Sequence, residues 1–401
     1  MIDQNRKKHL YALWNSFLLE GDFPQFDRWL KQEFAKHSSY GSRDRRWYAD
    51  ALFAEMRFGY LSLFLEENLA YDEFTQKYPT SESLLAGWKS LEVENFFTRV
   101  QSLEHFEAQN TTLPDLLLHC SIPHWFLPFF EKRISQSGWS SDEVSSFLKM
   151  QNTRPPLWLR LNNEKYRAKV LEELQQEGHQ VESHKNALKI SGAKSILNLQ
   201  AYQAGEIEIQ DLASQFIGQQ ILASKGQSVW DCCAGGGGKT LQIASILKNK
   251  GVVYASDIRA YKLVELKKRA DKAGFTNVQL LPWDGEKAQK DFDWVLVDAP
   301  CSSTGTWRRN PDAKYRVQAT DIERYAALQL SILQKVCAAV RSGGHLVYAT
   351  CSWTYEENEG IVRAFLEGNK DFSLLKQSLF GAPQENSDTM FAAVLQKLVS
   401  T

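Results

Sequence analysis

Large apolar residues recur three and four positions apart through most of the first 150 residues, with polar side chains between them. This spacing is typical of amphipathic helices. Five helices are predicted, over residues 11–20, 26–37, 43–67, 81–92 and 141–151. The pattern stops at residues 152–156, because Pro155 and Pro156 cannot continue a helix. We therefore predict an all-α N-terminal domain over residues 1–150.

The apolar pattern changes twice after residue 150. Residues 151–226 contain three short strand-like runs around one helical segment, which predicts a small α+β unit. Over residues 227–401, strand-like runs (228–234, 252–257, 278–284, 293–300 and 344–351) alternate with helical segments. This alternation is typical of a parallel, doubly wound sheet. The predicted fold class is α/β, a Rossmann-like domain preceded by the small α+β unit and the helical domain.

Composition and charge are those of an ordinary globular protein. A chain of 401 residues is long enough for two or three domains. Hydrophobic residues make up 43% and charged residues 24%, which excludes collagen-like, low-complexity and mainly disordered proteins. The formal net charge is −1, so a polyanionic partner has to be met by a local basic patch.

Cysteine usage and hydropathy indicate a cytoplasmic protein. Six cysteines are too sparse for a disulfide scaffold, and no C-x-x-C pair or Cys/His cluster has zinc-ligand spacing. The N-terminal segment lacks the apolar stretch and cleavage site of a signal peptide, and nowhere do 18 uncharged apolar residues run together. We expect reduced thiols, no metal site, no membrane segment and a monomeric protein.

A glycine-rich loop follows the first strand of the α/β domain, where ligands bind in such sheets. It consists of Cys233, Ala234, Gly235, Gly236, Gly237, Gly238 and Lys239. Three interpretations are open: the phosphate-binding loop of an NTPase, a structural turn, and a loop for a nucleoside-bearing cofactor such as S-adenosylmethionine. The first is disfavoured, because its consensus requires glycine where Cys233 stands. The third is favoured by aspartates at the ends of the next strands, Asp257, Asp284 and Asp298.

Two cysteines, Cys301 and Cys351, each stand just after a predicted strand, at the sheet edge where ligands bind. A thiolate is a strong nucleophile, and a pair beside the carboxylate of Asp298 suits a reaction that forms and then breaks a covalent bond. Metal binding is the weaker alternative, because neither cysteine has a histidine or a third cysteine at ligand spacing. Cys120 and Cys337 are expected to be small buried residues.

Five motifs together resemble the Sun-family (RsmB/NSUN-type) RNA cytosine-5 methyltransferases. They are DCCAGGGGKT, ASDIRAYKLVEL, VQLLPWD, DWVLVDAPCSSTGTWRRNPDAKY and GHLVYATCSWTYEENEGIV. The resemblance runs from about residue 156 to residue 397 and is specific. The family's glycine loop usually reads C-A-A-P-G-G-K, so Gly235 and Gly236 replace alanine and proline here. We expect this departure to affect the affinity for the cofactor and not the type of reaction.

The resemblance implies a role for each site residue. Cys351 is the nucleophile that adds to carbon 6 of a cytosine, and Asp298 hydrogen-bonds the pyrimidine ring. Cys301 assists removal of the carbon-5 proton and release of the enzyme. S-Adenosylmethionine is the cofactor, bound by the Cys233–Lys239 loop with Asp257, Asp284 and Asp298. A covalent route fits the substrate, because carbon 5 is too poor a nucleophile until a thiolate has added to the ring.

RNA contacts are expected beside Cys301, where charged and aromatic side chains alternate. These are Trp307, Arg308, Arg309, Lys314 and Arg316. The target base has to be single-stranded or flipped out, because a duplex hides the face that Cys351 attacks. The resemblance also implies that residues 151–226 bind RNA. The helical domain is expected to select the substrate or to bind another protein.

The sequence thus predicts a cytoplasmic enzyme that forms 5-methylcytidine in RNA. Ribosomal RNA is the expected substrate, and transfer RNA is the alternative. Two other classes stay open: a noncatalytic RNA-binding assembly factor with the same fold, and a P-loop NTPase.

Overall fold

The computed structural model describes residues 4–20, 24–103, 112–184, 186–192, 194–286 and 291–399, without the side chains of residues 96 and 99–102. The chain divides into two compact units. The first consists of Met1–Arg154 with Thr306–Ile322, and the second of Pro155–Gly305 with Glu323–Thr401. The sequence had assigned residues 306–322 to the α/β domain, whereas the structure places them in the first unit.

The first unit is helical, as predicted for the N-terminal region. Its helices are α1 (Gln4–Leu19), α2 (Phe26–Lys36), α3 (Ser42–Glu67), α4 (Tyr71–Lys77), α5 (Ser81–Ser90), α6 (Val93–Leu103), α7 (Leu113–His119), α8 (Leu127–Ser137) and α9 (Ser141–Gln151). Residues 306–322 add the short helix α15 (Ala313–Arg316). Aromatic and leucine side chains form most of the core, which buries Trp14, Tyr60 and Trp88. Tyr315 belongs to the same core and lies edge-on to Trp88, with ring centroids 5.0 Å apart.

Local hydrogen bonds explain where some of these helices begin. At the start of α9 the Ser140 hydroxyl accepts from the Glu143 amide at 3.3 Å, and the Glu143 carboxylate accepts from the Ser140 amide at 2.9 Å. This reciprocal capping box satisfies amides that have no partner inside the helix. Thr80 and Thr112 cap α5 and α7 in the same position.

A four-stranded antiparallel sheet opens the second unit. Its strands are β1 (Leu157–Leu161), β2 (Gln180–His184), β3 (Ala187–Ser191) and β4 (Ile207–Ile209), in the order β2-β3-β1-β4. The helices of this part are α10 (Arg167–Gln176), α11 (Gln200–Gln203) and α12 (Leu212–Gly218). Leu159 and Leu188 pair across the sheet and are buried with Val170 and Leu174 of α10. The predicted α+β unit is present, and β4 is an additional strand that the sequence pattern did not reveal.

A seven-stranded sheet forms the rest of the second unit. Its strands are β5 (Ser228–Asp231), β6 (Val252–Ala255), β7 (Val278–Leu280), β8 (Phe292–Asp298), β9 (Val340–Thr350), β10 (Phe372–Gly381) and β11 (Thr389–Lys397), in the order β10-β11-β9-β8-β5-β6-β7. The helices are α13 (Gly238–Leu247), α14 (Ala260–Lys272), α16 (Ala319–Val336) and α17 (Glu359–Gly368). Short 3₁₀ segments lie at His124–Phe126, Glu164–Tyr166, Ile196–Asn198, Thr304–Thr306 and Cys337–Ala339.

The predicted Rossmann-like fold class is confirmed, with one difference in the sheet. The five predicted strands, β5 to β9, run parallel, but β10 and β11 add an antiparallel pair at one edge. Central β8 is buried along six of its seven residues, which explains the apolar run 294–297 in its middle. Two hydrophobic clusters include side chains of this sheet; one holds Leu296 and Val347, and the other holds Val295 and Tyr348.

Within the described ranges, no helix is long and apolar enough to cross a membrane. The same part of the chain contains no group of three or more His, Cys, Asp or Glu side chains arranged to hold a metal ion.

Candidate active site

Three neighbouring parallel strands bring the predicted site residues to one edge of the large sheet. Strand β5 leads into the glycine loop, β8 ends at Asp298, and β9 ends at Thr350, directly before Cys351. Because β8 pairs in parallel with both β5 and β9, the carboxyl ends of all three lie side by side. This is the edge at which open α/β sheets bind their ligands.

The two predicted catalytic cysteines are in contact. The Sγ atoms of Cys301 and Cys351 are 3.1 Å apart, although 50 residues separate them in the chain. Cys301 is only 8% exposed, whereas Cys351 is partly exposed. The Sγ atom of Cys351 also lies 3.5 Å from the Ser303 hydroxyl.

Their surroundings shift the pKa values of the two thiols in opposite directions. The hydrogen bond from Cys301 lowers the pKa of Cys351, and the Ser303 hydroxyl and the Lys239 ammonium support this effect. Burial and the negative charge of Asp298 oppose it. The same contact with Cys351, together with burial, holds the pKa of Cys301 well above its usual value. Cys351 is therefore the better thiolate, and Cys301 is the protonated donor that faces it.

Lys239 and Asp298 form an ion pair beside the cysteines, with Nζ 2.7 Å from Oδ2. Lys239 is 9% exposed. Burial alone would lower the pKa of Lys239, but the carboxylate of Asp298 raises it above its ordinary value, so the ammonium stays charged. The sequence had assigned Lys239 to the cofactor loop only. Its ammonium pairs with Asp298 and also affects the pKa of Cys351, which no local signal in the glycine motif indicates.

The glycine loop adopts a backbone that other residues seldom take. Gly235 and Gly237 have φ values of +53° and +90°, in the left-handed region. A Cβ atom on Gly237 would lie 2.6 Å from Cγ of Leu266, so glycine is also required there for space. The Gly236 carbonyl accepts a hydrogen bond from Arg269 of α14. The loop is thus held against α14 as well as against the end of β6.

Asp257, at the end of β6, is positioned as a ribose-binding carboxylate would be. Its Oδ2 accepts from the Gly235 amide at 2.8 Å, and both of its oxygens accept from Arg259. Burial raises the pKa of Asp257, but the bonds from Arg259 and Gly235 bring it below its usual value. The left-handed loop and this ionised carboxylate fit an adenosyl cofactor. Arg259 would have to release one oxygen for a ribose hydroxyl to bind.

Asp284 differs from the other two acids. It is exposed, and its Oδ1 accepts from the amide of Glu286 at 3.0 Å, two residues further along the chain. This local turn is an ordinary role for aspartate. The cofactor contact predicted for Asp284 stays a prediction.

Three of the five residues predicted to contact RNA are buried inside the first unit. Trp307 is 0%, Arg308 2% and Lys314 0% exposed. The Trp307 ring lies 4.9 Å from the ring of Phe126, between centroids. Arg308 donates to the Thr153 hydroxyl at 2.9 Å.

Lys314 donates to the Arg57 carbonyl and to Asn152 Oδ1, both at 2.9 Å. Side chains enclosed in this way cannot stack on a base or pair with a phosphate, so for these three the predicted RNA contact does not fit the structure. It stays a prediction for Arg309, which is exposed, and for Arg316, which pairs with Asp312 at 2.8 Å.

Sequence reasoning also missed Ser303, which lies between the two cysteine loops. Its φ is +61°, an uncommon value for a residue other than glycine. Such strained positions cluster at functional sites. The run Cys301-Ser302-Ser303 gives no local sign of this backbone, because strain depends on the surrounding packing.

Comparison with known proteins agrees with this geometry. Residues 219–396 match the family of 16S rRNA methyltransferases RsmB/F, and residues 123–196 match the ferredoxin-like domain of RsmF/B-like methyltransferases. A probable ribosomal RNA small subunit methyltransferase B of Bacillus subtilis is 32% identical over 68% of this chain and 62% of its own. Ribosomal RNA small subunit methyltransferase B of Yersinia pestis is 30% identical over 74% of this chain and 72% of its own.

A solved structure has the same fold over nearly the whole chain. The crystal structure of PH0851 covers 97% of both chains with a TM-score of 0.73 and 23% sequence identity. The matches to the first curated relatives span about three fifths of the length of those proteins. Membership of a methyltransferase family excludes the P-loop NTPase considered above. The chain belongs to the RsmB/F family of S-adenosylmethionine-dependent 16S rRNA methyltransferases.

Proposed function

We propose that this protein transfers a methyl group from S-adenosylmethionine to carbon 5 of a cytosine in ribosomal RNA, through a covalent adduct with Cys351. The observation that carries the proposal is the contact between the Sγ atoms of Cys301 and Cys351 at 3.1 Å, beside the Lys239–Asp298 ion pair. A nucleophile by itself forms the covalent adduct. A second thiol in contact with it serves a reaction in which the first thiol has to be released again.

The first step is addition of the Cys351 thiolate to carbon 6 of the base. The thiolate is available because Cys301 and Ser303 donate to it and Lys239 lies nearby. Addition moves negative charge into the pyrimidine ring, where the ammonium of Lys239 offsets it and Asp298 hydrogen-bonds the ring. Carbon 5 becomes nucleophilic as a result. When bound, S-adenosylmethionine supplies the methyl group that carbon 5 accepts.

The second step releases the product. Once Cys351 is a thioether it no longer carries a negative charge, so the neighbour that raises the pKa of Cys301 is gone. Cys301 can then lose its proton to solvent water, and the resulting Cys301 thiolate accepts the proton from carbon 5. The carbon 6–sulfur bond breaks, its electron pair returns to Cys351, and 5-methylcytidine leaves. The two thiols exchange roles because each controls the protonation of the other.

The test compares the wild type with Cys351→Ala and Cys301→Ala. Each is incubated with radiolabelled S-adenosylmethionine and unmodified total RNA, run on denaturing gels, and digested to nucleosides. We expect labelled 5-methylcytidine from the wild type and none from Cys351→Ala. Cys301→Ala should accumulate a protein–RNA adduct that survives denaturation. Cys337→Ala is the matched control, because Cys337 is half-buried outside the site and should methylate as the wild type does.

The outcomes separate the alternatives. Methylation that survives the loss of Cys351 would overturn the covalent mechanism. Cofactor binding with no labelled RNA of any kind would favour a noncatalytic RNA-binding factor. Label in transfer RNA instead of ribosomal RNA would keep the chemistry and change the substrate.

A further inference from the structure

A buried carboxylate lies behind the two cysteine loops. Glu357, just before α17, is 0% exposed. Its Oε1 accepts from the Ser302 amide at 2.8 Å and from Gln329 Nε2 at 3.1 Å. Its Oε2 accepts from the Thr354 hydroxyl at 3.0 Å and from the Ser302 hydroxyl. Four donors thus converge on one carboxylate, which is the arrangement that suits its ionised form.

These donors connect Glu357 with the loop of Cys301. Ser302 follows Cys301 directly, and both its amide and its hydroxyl are bound to Glu357. Gln329 bridges the same carboxylate to the carbonyl of Pro300, at 3.0 Å. Cys301 is therefore held on both sides along the backbone, through Pro300 and Ser302.

The next residue, Asn358, holds the loop of Cys351 in the same way. Its Oδ1 accepts from the Thr350 hydroxyl at 2.6 Å, and its Nδ2 donates to the Ser352 carbonyl at 2.9 Å. Thr350 and Ser352 flank Cys351 in the sequence. Asn358 is also 0% exposed. Two consecutive buried residues thus fix the residues on either side of the two reactive thiols.

We propose that Glu357 and Asn358 act as a two-residue clamp that positions Cys301 against Cys351. Neither touches substrate or cofactor; both are positioning residues that set the distance between the sulfur atoms. The inference rests on the proposed function, because it assigns the clamp to the step in which Cys301 acts on the Cys351 adduct.

Two further observations support a role beyond packing. Burying a carboxylate costs several kcal/mol unless every oxygen is bonded, so a core built only for stability would use apolar residues. The negative charge of Glu357 also contributes to raising the pKa of Cys301, after the larger effects of the Cys351 hydrogen bond, burial and the charge of Cys351. The clamp therefore favours the protonated form of the thiol that it positions.

The test is Glu357→Gln in the full chain, with Glu367→Gln as the matched control. Glu367 is a glutamate of neighbouring α17 whose side chain is 71% exposed. In Glu357→Gln one carboxylate oxygen becomes an NH₂ group, which cannot accept a hydrogen bond. The donors that faced this oxygen lose their partner, and we expect the Cys301 loop to be displaced. We expect kcat to fall roughly 10- to 100-fold, as for a misplacement of about 1 Å, with little change in KM for RNA or in cofactor affinity. Glu367→Gln should behave as the wild type does.

A second measurement reports the pKa of the Cys301 thiol and does not depend on turnover. The charged or titrating groups around Cys301 are Cys351, Glu357 and, across Cys351, Lys239 and Asp298. In a Cys351→Ser background, alkylation of Cys301 by iodoacetamide is measured against pH by peptide mass spectrometry. Adding Glu357→Gln removes a negative charge, so the alkylation midpoint of Cys301 should move to lower pH. A loss of stability alone would not move this midpoint.

The results that overturn the clamp are distinct from those that overturn the proposed function. Wild-type kcat and an unshifted Cys301 midpoint in folded Glu357→Gln would contradict the clamp. If Glu357→Gln does not fold, Thr354→Ala removes one of the four bonds, and the clamp then predicts a smaller loss in kcat at unchanged KM. Wild-type kcat in Thr354→Ala would also contradict it. A wild type that methylates no RNA would refute the proposed function, while the alkylation profile still decides the clamp.

Discussion

Cys301 and Cys351 are identical side chains in contact, and their neighbours alone make them differ. Cys351 is stabilised as a thiolate chiefly by the hydrogen bond from Cys301. Replacement of that donor by Ala should therefore raise the pKa of Cys351. Alkylation of Cys351 near neutral pH should slow in Cys301→Ala, by roughly tenfold for each pH unit of the shift. Iodoacetamide labelling against pH measures this, and an unchanged profile would show that the Cys301 bond is not the main cause.

Gly305 shows how closely the backbone passes the reactive loop. A Cβ atom there would lie 1.9 Å from the Thr389 carbonyl oxygen and 2.9 Å from that of Cys351. The Gly305 amide also donates to the Cys351 carbonyl at 2.9 Å. Gly305→Ala should destabilise the second unit by about 1–3 kcal/mol and strongly reduce methylation, because the Cys351 loop has to move. Urea unfolding and a methylation assay report the two effects.

The control for Gly305→Ala is Gly368→Ala. Gly368 is the last residue of α17, and a Cβ atom there would meet no atom within 4 Å. Alanine in a helix is favoured over glycine by about 0.5–1 kcal/mol, so this variant should be neutral or slightly stabilised. Equal stability and activity of the two variants would show that the backbone around Gly305 can accommodate a Cβ atom.

At the scale of elements, α14 links the glycine loop to the four-stranded sheet. Arg269 of α14 donates both to the Gly236 carbonyl and to Glu208 of β4, the latter at 2.6 Å. Gly236 stands where the family usually has proline, whose ring would restrict the backbone at this position. In this chain the backbone at Gly236 is therefore held instead by a hydrogen bond from Arg269 of α14 to the Gly236 carbonyl.

Arg269→Met should weaken cofactor binding. A hydrogen bond to a charged group contributes about 1.5–3 kcal/mol, so we expect the Kd for S-adenosylmethionine to rise roughly tenfold or more. Calorimetric titration measures the Kd, and Arg269→Met combined with Glu208→Gln avoids leaving a buried carboxylate unpaired. Arg363→Met, at an exposed position of α17, is the control. Unchanged affinity in the double variant would show that the hydrogen bond from Arg269 does not contribute to cofactor binding.

At the scale of the whole molecule, residues 306–322 leave the α/β part of the sequence and complete the core of the helical unit. Lys314 is the extreme case, because burial lowers its pKa to about 7. In the unfolded chain its pKa is near 10.5, so between these values the unfolded state binds more protons than the folded state. Stability due to Lys314 is therefore lowest at and below pH 7 and rises as the pH increases above 7.

The comparison of wild type with Lys314→Met tests this sign. The stability of the wild type relative to Lys314→Met should increase from pH 7 to pH 9, by at most about 1.4 kcal/mol per pH unit. Urea unfolding at pH 6, 7, 8 and 9 gives the difference. A difference that stays constant over this range would mean that Lys314 remains charged in the folded protein.

The sequence by itself determined the fold class and the place of the site. Apolar periodicity separated helices from buried parallel strands, and parallel strands have to present their carboxyl ends at one edge. The glycine loop and Asp298, Cys301 and Cys351 at strand ends therefore predicted a common crevice. Strands β10 and β11 were missed because they lie beyond the alternating pattern, at the edge of the sheet.

Only the tertiary structure decided what each of these groups meets. The pairing of Lys239 with Asp298, the opposite acidities of the two cysteines and the anchoring of both loops by Glu357 and Asn358 depend on atoms that are distant in sequence. The burial of Trp307, Arg308 and Lys314 depends on the helical unit, whose residues lie more than 150 positions away. Charge, acidity and exposure are properties of the surroundings of a side chain, and packing creates those surroundings.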